Sequence, residues 1–204
     1  MKQFIINRMS KYFRPNTGQP PITLAEFSQS TQTDSFPIYL NQYIKNDVLE
    51  VMANGSLNYT VKGIYMGMKV TWNYMPPVHG GDTFTSIKKG SKATLKIVQN
   101  EKNGFVKELY IQKKPNIDSH AFETQLQKTI EQLQESYPFL SVKNKSNGIY
   151  LIDIPQEYRL GHEEHFSKVA KAFLHYIRNK NIPEWENENT LTKYYITTTA
   201  VVNG

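Results

Sequence analysis

The segment from Met75 to Thr83 holds the densest set of residues that could bind a polar ligand. It reads Met-Pro-Pro-Val-His-Gly-Gly-Asp-Thr, with two prolines and two glycines beside a histidine and an aspartate. Rigid prolines and permissive glycines can bring backbone close to a ligand, and polyols are bound by such convergent polar groups. We therefore take His79, Asp82 and Thr83 as candidate substrate-binding residues. A long hairpin loop without any ligand explains the same residue types equally well.

Two histidines, His162 and His165, lie three residues apart in the sequence Gly-His-Glu-Glu-His-Phe. Histidines at helical spacing can share a metal, but the zinc protease motif requires a spacing of four with a glutamate beside the first histidine. A helix start is the simpler interpretation, because Glu163 and Glu164 are favourable near the positive end of the helix dipole. We expect no metal site and keep both histidines as secondary candidates for substrate binding.

The sequence lacks the usual phosphate-binding motifs. It contains neither Gly-x-Gly-x-x-Gly nor Gly-x-x-x-x-Gly-Lys-Ser/Thr, the glycine-rich turns that hold dinucleotides and nucleotides. It also has no cysteine, which excludes disulfides, thiolate metal sites and cysteine catalysis. We expect no cofactor-binding residue in this chain, and the motifs identify no catalytic residue.

The charge is mildly basic, with 24 lysines and arginines against 18 acidic residues, for a net charge of +6. Because the lysines are scattered, a solvated surface is favoured over a nucleic-acid interface. The alternative is a basic sheet surface with nearby aromatic residues, formed by Lys88, Lys89, Lys92 and Lys96. No stretch reaches the roughly 20 apolar residues of a membrane span, and the N-terminus lacks the features of a signal peptide. We expect a soluble protein without nucleic-acid or membrane partners.

The pattern of apolar residues predicts an arm or linker over 1–21 and one α+β domain over 22–204. Strict alternation from Ile64 to Tyr74 predicts a half-buried strand, and shorter runs predict strands at 49–53, 57–61, 93–97, 105–111 and 149–154. Asn54-Gly55 is a hairpin signal. Helical spacing predicts helices near 119–136, 161–179 and 189–201, the first of them capped by Asp118. Thr23 followed by Glu26 three residues later predicts a capping box at the start of a short helix. This order of elements indicates an open, mostly antiparallel sheet with helices packed on one face.

Four separated segments resemble one family. They are Asn-Gly-Ser-Leu-Asn-Tyr-Thr-Val-Lys-Gly at 54–63; Val-Thr-Trp-Asn-Tyr at 70–74 with Gly-Asp-Thr at 81–83 and Ile-Lys-Lys-Gly-Ser-Lys-Ala at 87–93; Gly-His-Glu-Glu-His-Phe at 161–166; and Pro-Glu-Trp-Glu at 183–186 with Lys-Tyr-Tyr at 193–195 and Thr-Thr-Thr at 197–199. Together they resemble the C-terminal domain of oxidoreductases in the glucose–fructose oxidoreductase, inositol dehydrogenase and MocA (Gfo/Idh/MocA) superfamily, in a Bacteroidetes-type branch. The resemblance extends from about residue 20 to about residue 200.

The resemblance implies a parent dehydrogenase with an N-terminal Rossmann domain that binds NAD or NADP and carries a Glu-Lys-Pro lysine. This chain has no Glu-Lys-Pro, so it should be inactive alone and should supply contacts to a sugar or polyol substrate. One sheet face would meet the cofactor domain and the other would form a homo-oligomer, in the cytoplasm or periplasm of a bacterium. The branch often places a histidine after Gly-Asp-Thr, where this chain has Phe84. A stand-alone carbohydrate-binding or interaction module is the alternative.

Overall fold

The structure is a computed structural model that describes residues 22–50, 55–71 and 80–202. The predicted arm over 1–21 lies outside these residues. Contacts divide the chain into two compact units, one formed by residues 1–75 with 176–204 and the other by 76–175. The α+β class is confirmed, since every strand pair of the described residues is antiparallel and helices accompany the sheets. A single domain over 22–204 stays a prediction.

The first unit begins with short elements around a three-stranded sheet. These are β1 (Ile22–Thr23), α1 (Leu24–Thr31), a 3-10 helix (Ile38–Tyr43), β2 (Ile44–Lys45) and β3 (Val48–Leu49), with strand order β1-β3-β2. Helix α1 starts with the capping box that the sequence predicts: the Glu26 amide donates to Thr23 Oγ1, and the Thr23 amide donates to Glu26. The bond from the Thr23 amide, followed by the bond from the Thr23 hydroxyl, lowers the pKa of the Glu26 carboxyl group.

The same unit contains a two-stranded ribbon of β4 (Gly55–Val61) and β5 (Ile64–Val70). Its turn is Lys62–Gly63, where both residues have positive φ, at 49° and 78°. The predicted Asn54-Gly55 hairpin is only half within the described residues: Gly55 is the first residue of β4, and Asn54 lies outside them. The prediction of a half-buried strand is wrong over Ile64–Val70, because every residue of β5 is exposed. Its continuation, 72–74, is outside the described residues.

The second unit is built on a five-stranded antiparallel sheet. Its strands are β6 (Phe84–Lys89), β7 (Ala93–Gln99), β8 (Glu108–Lys113), β9 (Ser141–Ser146) and β10 (Ile149–Asp153), in the order β6-β7-β8-β10-β9. The predicted strand over 105–111 begins late, at Glu108, because residues 101–107 form a 3-10 turn and a left-handed bend. Strands β6 and β9, at the two edges, were not expected from the alternation pattern.

Helix α2 (Ser119–Gln134) covers one face of this sheet, as predicted. Asp118 caps it by accepting a hydrogen bond from the Ala121 amide at 2.8 Å. The buried core is Ile130, Leu140 and Ile152, with exposed fractions of 3%, 8% and 4%. Partly buried aliphatic residues surround this core: Leu109, Ile111, Leu126, Val142 and Ile154.

Two long helices follow, α3 (His162–Asn179) and α4 (Glu184–Val202). Both were predicted, although α4 starts five residues before the expected position 189. The apolar stripe of α3 is exposed over its whole length, with Phe166 and Val169 at 66% and 67%. A helix with such a stripe normally buries it. Among the described helices, none is long and apolar enough to cross a membrane.

Candidate functional site

The predicted substrate segment lies in the second unit, directly before the edge strand β6. Asp82 and Thr83 are exposed, and Gly81 beside them is half-buried. His79 lies outside the described residues. An exposed carboxylate and hydroxyl next to a strand end are available to hydroxyl groups of a ligand. The structure therefore places two of the predicted residues together on one short, accessible segment.

Gly81 packs directly on the ring of Phe105. A Cβ atom built on Gly81 would lie 3.1 Å from Cγ and 3.2 Å from Cδ1 of that ring. Contacts this short would force the ring or the backbone to move. A side chain at position 81 would therefore need the Phe105 ring to shift, and the segment before Asp82 rests against an aromatic surface.

The turn that carries Phe105 is fixed by a hydrogen-bonded network. The Asn103 side chain accepts a bond from the Asn100 amide at 2.8 Å and donates to the Val98 carbonyl at 3.0 Å. It also donates to Glu108 Oε2 at 3.3 Å, and the Tyr110 hydroxyl donates to the same oxygen at 2.7 Å. The bond to Glu108 is the main cause that raises the pKa of Tyr110. The sequence pattern did not indicate this network, because the alternation of apolar residues predicts one regular strand over 105–111.

The two candidate histidines lie in the first turn of α3. His162 is the first residue of the helix and its ring is 5.0 Å from the Phe166 ring in an edge-on contact. The Gly161 amide donates to Glu164 Oε2 at 3.0 Å, which caps the helix start. Both histidines are exposed. This geometry matches a capped helix start, the simpler of the two interpretations from sequence.

Metal binding finds no support in the described part of the chain, where no group of three or more His, Cys, Asp or Glu side chains is placed to hold an ion. Within the same residues, no hydrogen bond joins Asp82 or Thr83 to His162 or His165. Asp82 and Thr83 are neighbours in sequence, and the described residues show no hydrogen bond that links them to the two histidines.

A second polar cluster lies on the helix-covered face of the sheet. The Tyr150 hydroxyl donates to Glu123 Oε1 at 2.8 Å, and the Asn144 side chain donates to the same oxygen at 3.2 Å. Tyr150 is 4% exposed, and its ring packs on Phe122 with centroids 5.7 Å apart. Burial, followed by the bond to Glu123 and the charge of Glu123, raises the pKa of Tyr150 to about 12. This cluster joins α2 to the sheet and serves the fold.

The described residues do not fit a nicotinamide dinucleotide. Such a cofactor lies across the carboxyl ends of parallel strands, with its pyrophosphate at a glycine-rich turn that begins a helix. The described sheets are antiparallel, and the complete sequence contains no Gly-x-Gly-x-x-Gly. No chemical step through that cofactor follows from this chain's own residues.

Comparison with known families decides which group the chain belongs to. A family model described as "Putative oxidoreductase C terminal domain" matches residues 11–203. This chain belongs to that family. The oxidoreductase C-terminal domain that the sequence motifs implied is thereby established, and the match includes the Gly-Asp-Thr segment and the start of α3.

A solved structure supports the same assignment. The oxidoreductase C-terminal domain described here is similar to a crystal structure of "a putative oxidoreductase from Parabacteroides merdae ATCC 43184", with a TM-score of 0.87 and 36% sequence identity. The match covers 98% of this chain and 44% of that protein, so the chain spans less than half of its relative's length. A comparison with curated proteins gives no match.

Proposed function

We propose that this chain is the substrate-side and oligomerisation domain of an NAD- or NADP-dependent sugar or polyol dehydrogenase of the Gfo/Idh/MocA superfamily. The family match over residues 11–203 carries the proposal. A relative more than twice as long leaves room for a Rossmann domain that would bind the nicotinamide.

The chain's contribution would be to hold the substrate. The exposed Asp82 and Thr83 side chains can accept hydrogen bonds from vicinal hydroxyls, and the Thr83 hydroxyl can also donate one. Phe105 beneath Gly81 gives the segment an apolar support. His79 and, less directly, His162 and His165 would complete the edge of the substrate cleft.

The sheet face opposite α2 is proposed as the contact between two copies. Strand pairing places Ile87, Lys96, Tyr110 and Leu151 in one cross-strand row. This row lies on the face opposite the buried Ile152, because neighbouring strand residues point to opposite faces. Ile87 is 53% exposed. Closed two-fold pairing is the commonest way to cover such a face. Light scattering at high concentration should therefore give a dimer, and a strictly monomeric species would contradict this contact.

The activity is tested on the complete product of the reading frame that contains these residues. That product should reduce NAD or NADP in the presence of a sugar or polyol, followed by the absorbance of the reduced nicotinamide. A panel containing glucose and myo-inositol provides the first probes. Failure of the complete product with every sugar and polyol, under both nicotinamides, would refute the proposed function. Saturable binding of those probes to an otherwise inactive product would instead support a carbohydrate-binding module.

Replacing Asp82 by alanine in the complete product should lower kcat/KM for the polyol by about 10-fold, or about 1.4 kcal/mol. The reason is that a site built on hydroxyl hydrogen bonds leaves substrate groups unpaired when one acceptor is removed. The KM for the nicotinamide should stay within about twofold, since Asp82 is assigned to the substrate. Asp34→Ala, at an exposed aspartate of the first unit that has no left-handed backbone, is the matched control. Wild-type kinetics for Asp82→Ala would remove this residue from the site.

A further inference from the structure

We propose that Phe105 is a positioning residue that fixes the Gly81–Thr83 segment and thereby sets the affinity for the polyol; this rests on the function proposed above. The observation that points to it is the contact between Gly81 and the Phe105 ring, where a Cβ atom would lie 3.1 Å from Cγ and the ring would have to shift. Asp82 follows immediately, so any shift at Gly81 is transmitted to the Asp82 carboxylate through a single peptide unit.

The backbone of Phe105 is itself held in an unusual conformation. Gly104 and Phe105 have φ values of 61° and 59°, so two consecutive residues occupy the left-handed region. Glycine tolerates this conformation, but a residue with a Cβ does so only where its surroundings hold it. Here the Phe105 amide donates to the Asn100 carbonyl at 2.8 Å, and the Gly104 amide donates to the Glu101 carbonyl at 3.0 Å. The bend directs the ring to the Gly81 contact.

The turn that carries Phe105 is hydrogen-bonded to the strands on both sides of it, β7 and β8. Asn103 reaches the Val98 carbonyl at the end of β7 and the Glu108 carboxylate at the start of β8. Tyr110 holds that carboxylate from the other side. A second contact lies just after the segment, where Lys107 Nζ is 5.4 Å from the centre of the Phe84 ring. Asp82 and Thr83 therefore lie between two contacts made by one rigid turn.

Gly81 offers a clean way to probe the contact. Its φ lies outside the left-handed region, so alanine there meets no backbone strain and the added Cβ acts on the ring alone. Gly81→Ala should raise the polyol KM of the complete product about 10-fold, with kcat and the nicotinamide KM within about twofold. In Phe105→Leu the smaller side chain should raise the polyol KM as well.

The decisive test is the double-mutant cycle. Because Gly81→Ala and Phe105→Leu disturb the same contact, the polyol KM of the double variant should be no higher than that of Gly81→Ala alone. Phe139→Leu is the matched control: Phe139 has a φ of 65° but is 78% exposed, and its replacement should leave every kinetic parameter unchanged. Multiplicative effects of the two substitutions, or wild-type polyol KM values in both variants, would overturn the proposal.

Amide hydrogen exchange on the 204-residue chain separates this inference from the proposed function. Exchange at the amides of Phe84 and Ser86, which belong to the strand pairs with Gln99 and Ile97 directly after the segment, should accelerate about 10-fold in Gly81→Ala and in Phe105→Leu, and stay unchanged in Phe139→Leu. If the wild-type complete product oxidises no polyol, the proposed function fails, and exchange at these amides alone decides whether Phe105 positions the segment. Unchanged exchange in both variants would overturn the proposal whatever the enzyme does.

Discussion

Replacing Ile130 by alanine should lower the free energy of unfolding of the unit formed by residues 76–175 by about 3 kcal/mol. Ile130 is 3% exposed and lies at the centre of the core with Leu140 and Ile152. Removing buried methyl and methylene groups loses their transfer free energy and leaves a cavity, which together cost about 2–5 kcal/mol in well-packed sites. A sheet covered by one helix has few other buried side chains to compensate.

Urea denaturation followed by far-ultraviolet circular dichroism measures this effect. Val106→Ala is the matched control, because Val106 belongs to the same unit but is 46% exposed and lies outside the proposed contact between copies. That substitution should change the free energy of unfolding by no more than about 0.5 kcal/mol. Equal effects of the two substitutions would show that the core is not centred between α2 and the sheet.

The Tyr150 phenol should make the same unit less stable as the pH rises above 10. Its pKa is 10.0 when exposed and about 12 in the folded chain, chiefly because burial disfavours the phenolate. The folded state therefore binds the phenol proton more tightly than the unfolded state does. The resulting contribution to the free energy of unfolding is complete below pH 10 and is lost as the pH rises from 10 to 12. The loss is about 1.4 kcal/mol at pH 11 and approaches about 2.7 kcal/mol above pH 12.

Comparison with Tyr150→Phe isolates this contribution. At pH 9 the variant should be about 1–2 kcal/mol less stable than wild type, since it loses the hydrogen bond to the Glu123 carboxylate. Between pH 9 and pH 11 the free energy of unfolding should fall by about 1.4 kcal/mol more in wild type than in the variant. The difference in stability between the two proteins therefore narrows or reverses. Tyr137→Phe, which removes a phenol that is 49% exposed, is the control. Parallel pH curves for wild type and Tyr150→Phe would contradict the assignment.

The sequence predicted those parts of the fold that local chemistry determines. The capping box at Thr23 and Glu26 and the cap at Asp118 are bonded as expected. The helices near 119–136 and 161–179 follow from apolar residues at helical spacing. The edge strand β9 could not be found in this way, because Val142 is its only apolar residue and the exposed Lys143 and Lys145 give no alternation. Its strand character comes from pairing with β10.

The alternation from Ile64 to Tyr74 predicted the strand but not its environment. Alternation of apolar and polar residues identifies which side chains share a face of the strand, whereas their burial depends on what covers that face. Ile64 and Val70 are 67% and 51% exposed in the described structure. The same reasoning applies to α3, whose apolar stripe was correctly located and is nevertheless exposed.

The substrate-binding role of the candidate residues stays a prediction from residue types, and the structure describes only some of their positions. Glycine, aspartate and threonine at 81–83 indicated a ligand segment, and the structure shows Asp82 and Thr83 accessible together. The alternation of apolar residues places Phe105 in one predicted strand with Leu109 and Ile111. Its contact with Gly81 depends instead on a left-handed bend, which such an alternation does not reveal. The signal that could have located the bend was Asn103-Gly104, a turn sequence immediately before it.

The most direct test of the central claim is a calorimetric titration of NAD and NADP into the 204-residue chain and into the complete reading-frame product. The proposed division places the substrate side in this chain and the cofactor side in a further domain of the complete product. It predicts micromolar binding of NAD or NADP to the complete product and no measurable binding to the 204-residue chain. A micromolar dissociation constant for either nucleotide with the 204-residue chain would contradict the account.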